Sequence, residues 1–160
     1  MNGPAASHDI GAFIATKAGA GVGDLITAGG GGDNTEINTE WIDRQGFLSC
    51  SVFCCGKATI TTAKKLTVAG NLQDASANDG TGSADYGDAV AATDIVDSAG
   101  DALENVTDEG FAQKIADFDL SGADQFLRWQ GTPDLTNTAT DTADISFIII
   151  LGGADTLPAS

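Results

Sequence analysis

Apolar and polar positions alternate most sharply in the last quarter of the chain, residues 117–158. In residues 126–132 (FLRWQGT), Leu127, Trp129 and Gly131 alternate with Phe126, Arg128, Gln130 and Thr132. That period of two is what a strand with one apolar and one polar face produces. Residues 145–151 (ISFIIIL) place Ile145, Phe147, Ile149 and Leu151 on one side and Ser146, Ile148 and Ile150 on the other. This strand begins half polar and ends apolar on both faces, as a central core strand or a subunit contact does. The polar connection between the two predicts a hairpin.

The same pattern predicts further strands upstream. Residues 10–17 (IGAFIATK) read as a first strand with Phe13 inward, and residues 35–44 (TEINTEWIDR) alternate with Trp41 as a core anchor. In residues 47–60 (FLSCSVFCCGKATI), Leu48, Cys50, Val52 and Cys54 share one face while Phe53 and Cys55 fall on the other. Residues 64–73 (KKLTVAGNLQ) turn Leu66, Val68, Gly70 and Leu72 inward and are expected to pair with the preceding strand as a hairpin. Residues 74–110 then become rich in Asp, Ala, Gly, Ser and Asn, with scattered Tyr86, Val90, Ile95, Val96, Leu103 and Val106. Such a stretch buries little and is expected to be a long polar excursion carrying short strands or turns, a common place for partner contacts. Residues 111–120 restore regular structure, with Phe118 and Leu120 as core candidates.

A chain of 160 residues suits one domain, and 21 Gly against 3 Pro among many Thr, Ser and Asp favours an all-β fold of short strands and turns. Residues 1–9 are small and polar and read as a flexible arm, leaving 10–160 as the domain with the 74–110 excursion inside it. The formal charge of −16 repels phosphate backbones, so nucleic acid is not expected as a direct partner. It would steer the protein towards a basic surface. No apolar run is long enough for a membrane helix, and the N-terminus lacks the basic and apolar regions of a signal peptide. Three clustered cysteines, Cys50, Cys54 and Cys55, do not resemble a secreted disulfide framework.

Candidate chemistry is sparse. Gly19, Gly21 and Gly23 lack the helix that a dinucleotide loop must open, because 29–32 is four consecutive glycines. Cys50 and Cys54 would stand about 13 Å apart on a strand, too far to share a zinc, so buried thiols are the expectation. Asp117, Asp119 and Asp124, with Gly122 at the sixth position, resemble the opening of a calcium loop, but Arg128 occupies the twelfth position where a bidentate glutamate belongs. An Asx-type turn is the simpler account, and no metal or other cofactor is expected. His8 is the single histidine and lies in the arm, out of place for a triad. Ten aromatic residues, most needed for a core, leave a glycosidase cleft unsupported.

The segment from Asp119-Leu120 through Phe126-Leu127-Arg128 and the Thr-Pro-Asp-Leu connection at 132–135, closing in Leu151-Gly152-Gly153-Ala154-Asp155, resembles the C-terminal pattern of small tailed-bacteriophage head proteins that act as capsid decoration, or cement, proteins. The resemblance covers about forty residues and implies a β-sandwich, jelly-roll-like module. It would sit on the outer capsid surface as a trimer or larger ring, bridging copies of the major capsid protein after synthesis in the host cytoplasm. On that expectation the protein is structural and not an enzyme, and His8, Ile10, Phe13, Tyr86, Ile148, Ile150 and Leu151 are its candidate contact residues, the last three serving either core or self-association. Rival expectations are a tail, fibre or head-completion protein, and a cellular carbohydrate- or calcium-binding β-module.

Overall fold

The computed structural model describes residues 14–18, 24–61, 63–136 and 140–154, with the side chains of 14–18 and 24 left aside. Its regular structure is all β: β1 (Ile14–Ala18), β2 (Asp24–Thr27), β3 (Ile37–Asn38), β4 (Ile42–Asp43), β5 (Phe47–Ile60), β6 (Leu66–Ala75), β7 (Ala84–Asp94), β8 (Val106–Asp119), β9 (Phe126–Leu135) and β10 (Thr142–Ala154). The first sheet runs β1-β10-β5-β8, with β2 continuing along β10 beside β1; the second runs β3-β9-β6-β7, with β4 beside β3 on β9. All these pairings are antiparallel.

If β1 with β2 and β3 with β4 are each taken as one interrupted strand, the molecule is an eight-stranded double sheet in which the chain crosses between sheets at nearly every step. Numbered as those eight, the sheets read 1-8-3-6 and 2-7-4-5. This is the two-Greek-key order of a jelly roll.

That order corrects both expected hairpins. β9 and β10 lie in different sheets, as do β5 and β6, whereas β6 and β7 are sequence neighbours that do pair. The physical reason lies in the inward faces. Trp129 on β9 and Phe147 on β10 are both fully buried, and they meet edge to face across the interior with centroids 6.2 Å apart. As hairpin partners they would stand side by side on one face with nothing opposite. In the sandwich each fills the space beneath the other sheet, and the tilted pair adds a specific contact to the area it buries. Phe118 on β8 completes the group, 6.3 Å from Trp129.

Room for the indole is made by two directly paired glycines, Gly70 and Gly131. A Cβ on Gly70 would lie 2.4 Å from Trp129 Cζ2, and one on Gly131 would lie 2.3 Å from Phe147 Cζ. The indole N–H of Trp129 is buried without a hydrogen-bond acceptor. It sits beside the Phe147 ring, since one Cβ on Gly131 would touch both Nε1 (2.7 Å) and Phe147 Cε2 (2.5 Å). An N–H near an aromatic ring recovers part of a lost hydrogen bond.

Inward positions follow the predicted alternation closely. Val52 and Cys54, Leu66, Val68 and Leu72, Leu127, and Ile145, Ile149 and Leu151 are all buried. Two positions depart from it. Leu48 is 48% exposed while Phe47 is buried, because alternation reverses where β5 begins, opposite Gly153, whose left-handed backbone (φ 66°) curls the end of β10. Trp41 is only half buried. The strand breaks between β3 and β4, where Thr39 donates its N–H to Trp129 O (2.9 Å) and takes the Trp129 N–H on its hydroxyl (2.9 Å). The phase then shifts, sending Ile42 inward and Trp41 outward.

The polar stretch 74–110 contains a complete strand, β7, and the start of β8. It reads as weakly structured because β7 is an edge strand with most side chains in water. Short side-chain links hold this edge: Tyr86 donates its hydroxyl to Asp119 O (2.8 Å), and Gln113 bridges Val96 N (2.8 Å) and Asp94 O (3.1 Å).

Candidate interaction faces

Because β10 and β5 pair in register over most of their length, their outward side chains form one surface. Phe53 stands opposite Ile148, Ser51 opposite Ile150, and Cys55 opposite Ser146. Phe53, Cys55, Ile148 and Ile150 are all half buried and make an apolar strip on the first sheet's outer face. Charges rim it in pairs. Lys114 bonds Asp117 (2.5 Å), and Lys57 lies 3.3 Å from Asp108 and 3.9 Å from Asp144. All five groups in these three pairs are substantially exposed, so each pair contributes little to stability.

The expected contact residues are therefore divided. Ile148 and Ile150 share that outer strip, whereas Leu151 points into the core. Tyr86 packs against the core and is engaged by Asp119 at the β7–β8 edge, away from the strip. His8, Ile10 and Phe13 lie outside the described residues, as do the whole 1–9 arm and Gly19, Gly21 and Gly23.

The calcium-like segment forms turns instead of a cage. Asp117 accepts bonds from Lys114 and from Ser51 (2.5 Å each), which hold its carboxyl below the ordinary carboxylate range. Asp119 accepts the Ser121 N–H (2.9 Å), an Asx-type turn whose backbone bond lowers its pKa. At the far end of the segment a guanidinium occupies the carbonyls: Arg44 bonds Asp124 O (2.9 Å), Phe47 O (3.2 Å) and Ala123 O. The Asp124 N–H is taken by Asp74 (2.8 Å). Among the described residues no three His, Cys, Asp or Glu side chains converge as a metal site.

The thiols are equally quiet. Burial raises the Cys50 pKa to about 12, with Asp117 adding to the effect, and burial next to Cys55 pushes Cys54 higher still. Desolvation also raises Cys55. The three thiols stay protonated and weakly nucleophilic near neutral pH.

On the second sheet the outward residues are polar and bonded to one another. Register aligns Asn38, Gln130 and Asn71 in one row across β3, β9 and β6, and Arg128, Gln73 and Asp85 in the next row across β9, β6 and β7. Asn71 Nδ2 donates to Gln130 Oε1 (3.0 Å) and Asp85 Oδ1 (2.8 Å), and Gln73 Nε2 donates to the same Asp85 oxygen (2.8 Å). Arg128 Nε donates to Gln73 Oε1 (2.9 Å), and its guanidinium lies 4.7 Å from the centroid of the Trp41 ring. Gln130 and Asn38 both donate to Glu36 Oε1 (2.9 Å each). The alternation in 126–132 already marks Arg128 and Gln130 as outward, and Asn71 and Gln73 follow from the inward set of 64–73. Their juxtaposition was not legible, because nothing local says that β6 lies beside β9.

These two faces on a jelly-roll sandwich define the class of protein: an all-β module with two chemically contrasting outer surfaces. No family model matches the sequence, and no curated protein does either. Among solved structures, the chain is similar to the crystal structure of the infectious bursal disease virus VP2 subviral particle, with a TM-score of 0.46 and 9% identity over 91% of this chain and 34% of that one. It is also similar to the structure of the Gt strain of the same virus, with a TM-score of 0.46 and 10% identity over 91% of this chain and 33% of that one. The chain thus spans about a third of the length of the solved structures it matches.

Proposed function

We propose that the chain is a structural virion protein that decorates the outer surface of a tailed-bacteriophage capsid and bridges major capsid subunits. The observation that carries this reading is where the cement-like segment falls. Residues 126–135 and 142–154 of that segment are β9 and β10, strands with neighbours on both sides in their respective sheets and the two whose aromatic residues meet at the centre of the core. The resemblance therefore concerns the framework of the module. The jelly roll hosts viral capsid domains but also lectins and cupins, so the fold by itself does not select among them.

In this reading the apolar strip of Phe53, Cys55, Ile148 and Ile150 contacts a shell subunit or a neighbouring copy in a trimer or larger ring. The acidic surface directs the protein towards basic shell surface: residues 74–119 hold twelve carboxylates against one lysine. Symmetry repeats each modest contact many times, which makes the assembly strong without any tight single site. The role needs no catalytic step and no cofactor.

The test is the number of copies of this chain per major shell protein in purified particles from its source. A ratio near one, or a simple fraction of it, is expected. A handful of copies per particle moves the protein to the tail or portal vertex, and absence from particles overturns the virion role.

A further inference from the structure

The lattice on the second sheet has a chemical character that neither core packing nor shell contact requires. Its members sit at the spacings of the sheet itself, about 4.8 Å between strands and about 6.7 Å along them. All of them are planar amide, carboxylate or guanidinium groups, held in place by their mutual bonds. Gln130, at the centre, is 8% exposed and bonded on both sides, so the array is fixed from below. Outward capacity remains: Arg128 Nη1 and Nη2 have no hydrogen-bond partner among the described residues, and Asn71 Oδ1, Asp85 Oδ2 and Glu36 Oε2 accept no bond within the lattice.

Charge narrows the occupant. The lattice carries Glu36 and Asp85 against Arg128, so it is close to neutral on a chain of formal charge −16. An anion would meet two carboxylates, and a cation would meet the guanidinium. The longer apolar strip of Phe53, Cys55, Ile148 and Ile150 stands on the other sheet; beside the lattice, half-buried Trp41 is already covered on one side by the Arg128 guanidinium. What suits a rigid, nearly neutral array of fixed donors and acceptors is a ligand presenting several hydroxyls at once, since each hydroxyl both donates and accepts. We propose that this face, centred on Asn71, Gln73, Arg128 and Gln130, binds a neutral oligosaccharide. The proposal is independent of the virion reading, and the copy number of the chain on particles bears on neither its success nor its failure.

The purified chain is tested on a panel of neutral gluco-, galacto- and manno-configured oligosaccharides. Saturable binding to at least one is expected, weakened about tenfold by Asn71→Ala or Gln73→Ala, each removing hydrogen bonds from a prearranged site. Thermal unfolding of both variants serves as the folding control. Binding should change little between about 50 mM and about 500 mM salt, because no net charge is being neutralised. Failure of every oligosaccharide to bind overturns the proposal and leaves the face to a protein partner. Binding that survives both substitutions in folded protein overturns it as well.

Discussion

Outward positions on the two sheets are set by the same alternation, yet they carry opposite chemistry. On β5 and β10 they include Phe53, Cys55, Ile148 and Ile150; on β6 and β9 they include Asn71, Gln73, Arg128 and Gln130. The apolar strip leaves half-buried carbon surface that gains free energy only when something covers it. The polar lattice bonds its inner groups to one another and leaves the outer ones to water, so it costs the free protein little and needs no cover. One face is thus suited to permanent contact within an assembly and the other to reversible contact with a solvated ligand. The buried aromatic group between them serves both, because Trp129 rises from the second sheet and Phe147 from the first.

Breaking that shared centre should have the largest effect. Trp129→Ala is expected to destabilise the fold by about 3–5 kcal/mol, as large aromatic-to-alanine changes in cores do. Denaturant unfolding measures this, and a loss below about 1 kcal/mol would mean that the aromatic group is not the common support of the two faces. A smaller effect separates the faces themselves. Ile148→Ser should cost about 1 kcal/mol in the isolated chain, a fraction of full burial, and should reduce retention on particles. Gln73→Ala should cost about 0.5 kcal/mol and leave retention unchanged. Equal retention of both variants would abolish the proposed division of labour.

A separate effect is a pH dependence located in the first sheet. Burial pushes the Cys50 thiol from its ordinary 9.0 up to about 12, so above pH 9 the unfolded chain gives up a proton that the folded chain keeps. Stability therefore falls as pH rises from 9 towards 12, and Cys50→Ser should flatten the fall. Thermal unfolding over that range is the measurement, and an unchanged slope would place the buried thiol outside the linkage.

Local sequence established the span of β5 and the inward faces of β5, β6, β9 and β10, but it did not mark β2 (Asp24–Thr27) or the full length of β7 (Ala84–Asp94) as strands. The β5 boundaries at Phe47 and Ile60 and the inward run Leu66, Val68 and Leu72 were readable because a strand's side-chain period is fixed by its own backbone. The same period put Phe53 and Cys55 on the face opposite Val52 and Cys54, and the structure turns that face outward. The exceptions lie where another strand intervenes: Trp41 turns out because Thr39 ties its own backbone and hydroxyl to Trp129, and Leu48 turns out opposite the bend at Gly153.

Only the tertiary structure decided which strands are neighbours. The strand that Phe126 begins could have paired with the next in sequence by alternation alone, but Trp129 and Phe147 fill the interior only from opposite sheets. Once that crossing is made, residues as distant as Glu36, Asn71, Asp85 and Gln130 come within hydrogen-bond reach. The polar lattice is a property of register between strands far apart in the chain, and a pattern with a period of two carries no information about register. The apolar strip was half visible, in Ile148 and Ile150, because those residues share one strand. Its other half, Phe53 and Cys55, joined it only through the pairing of β5 with β10.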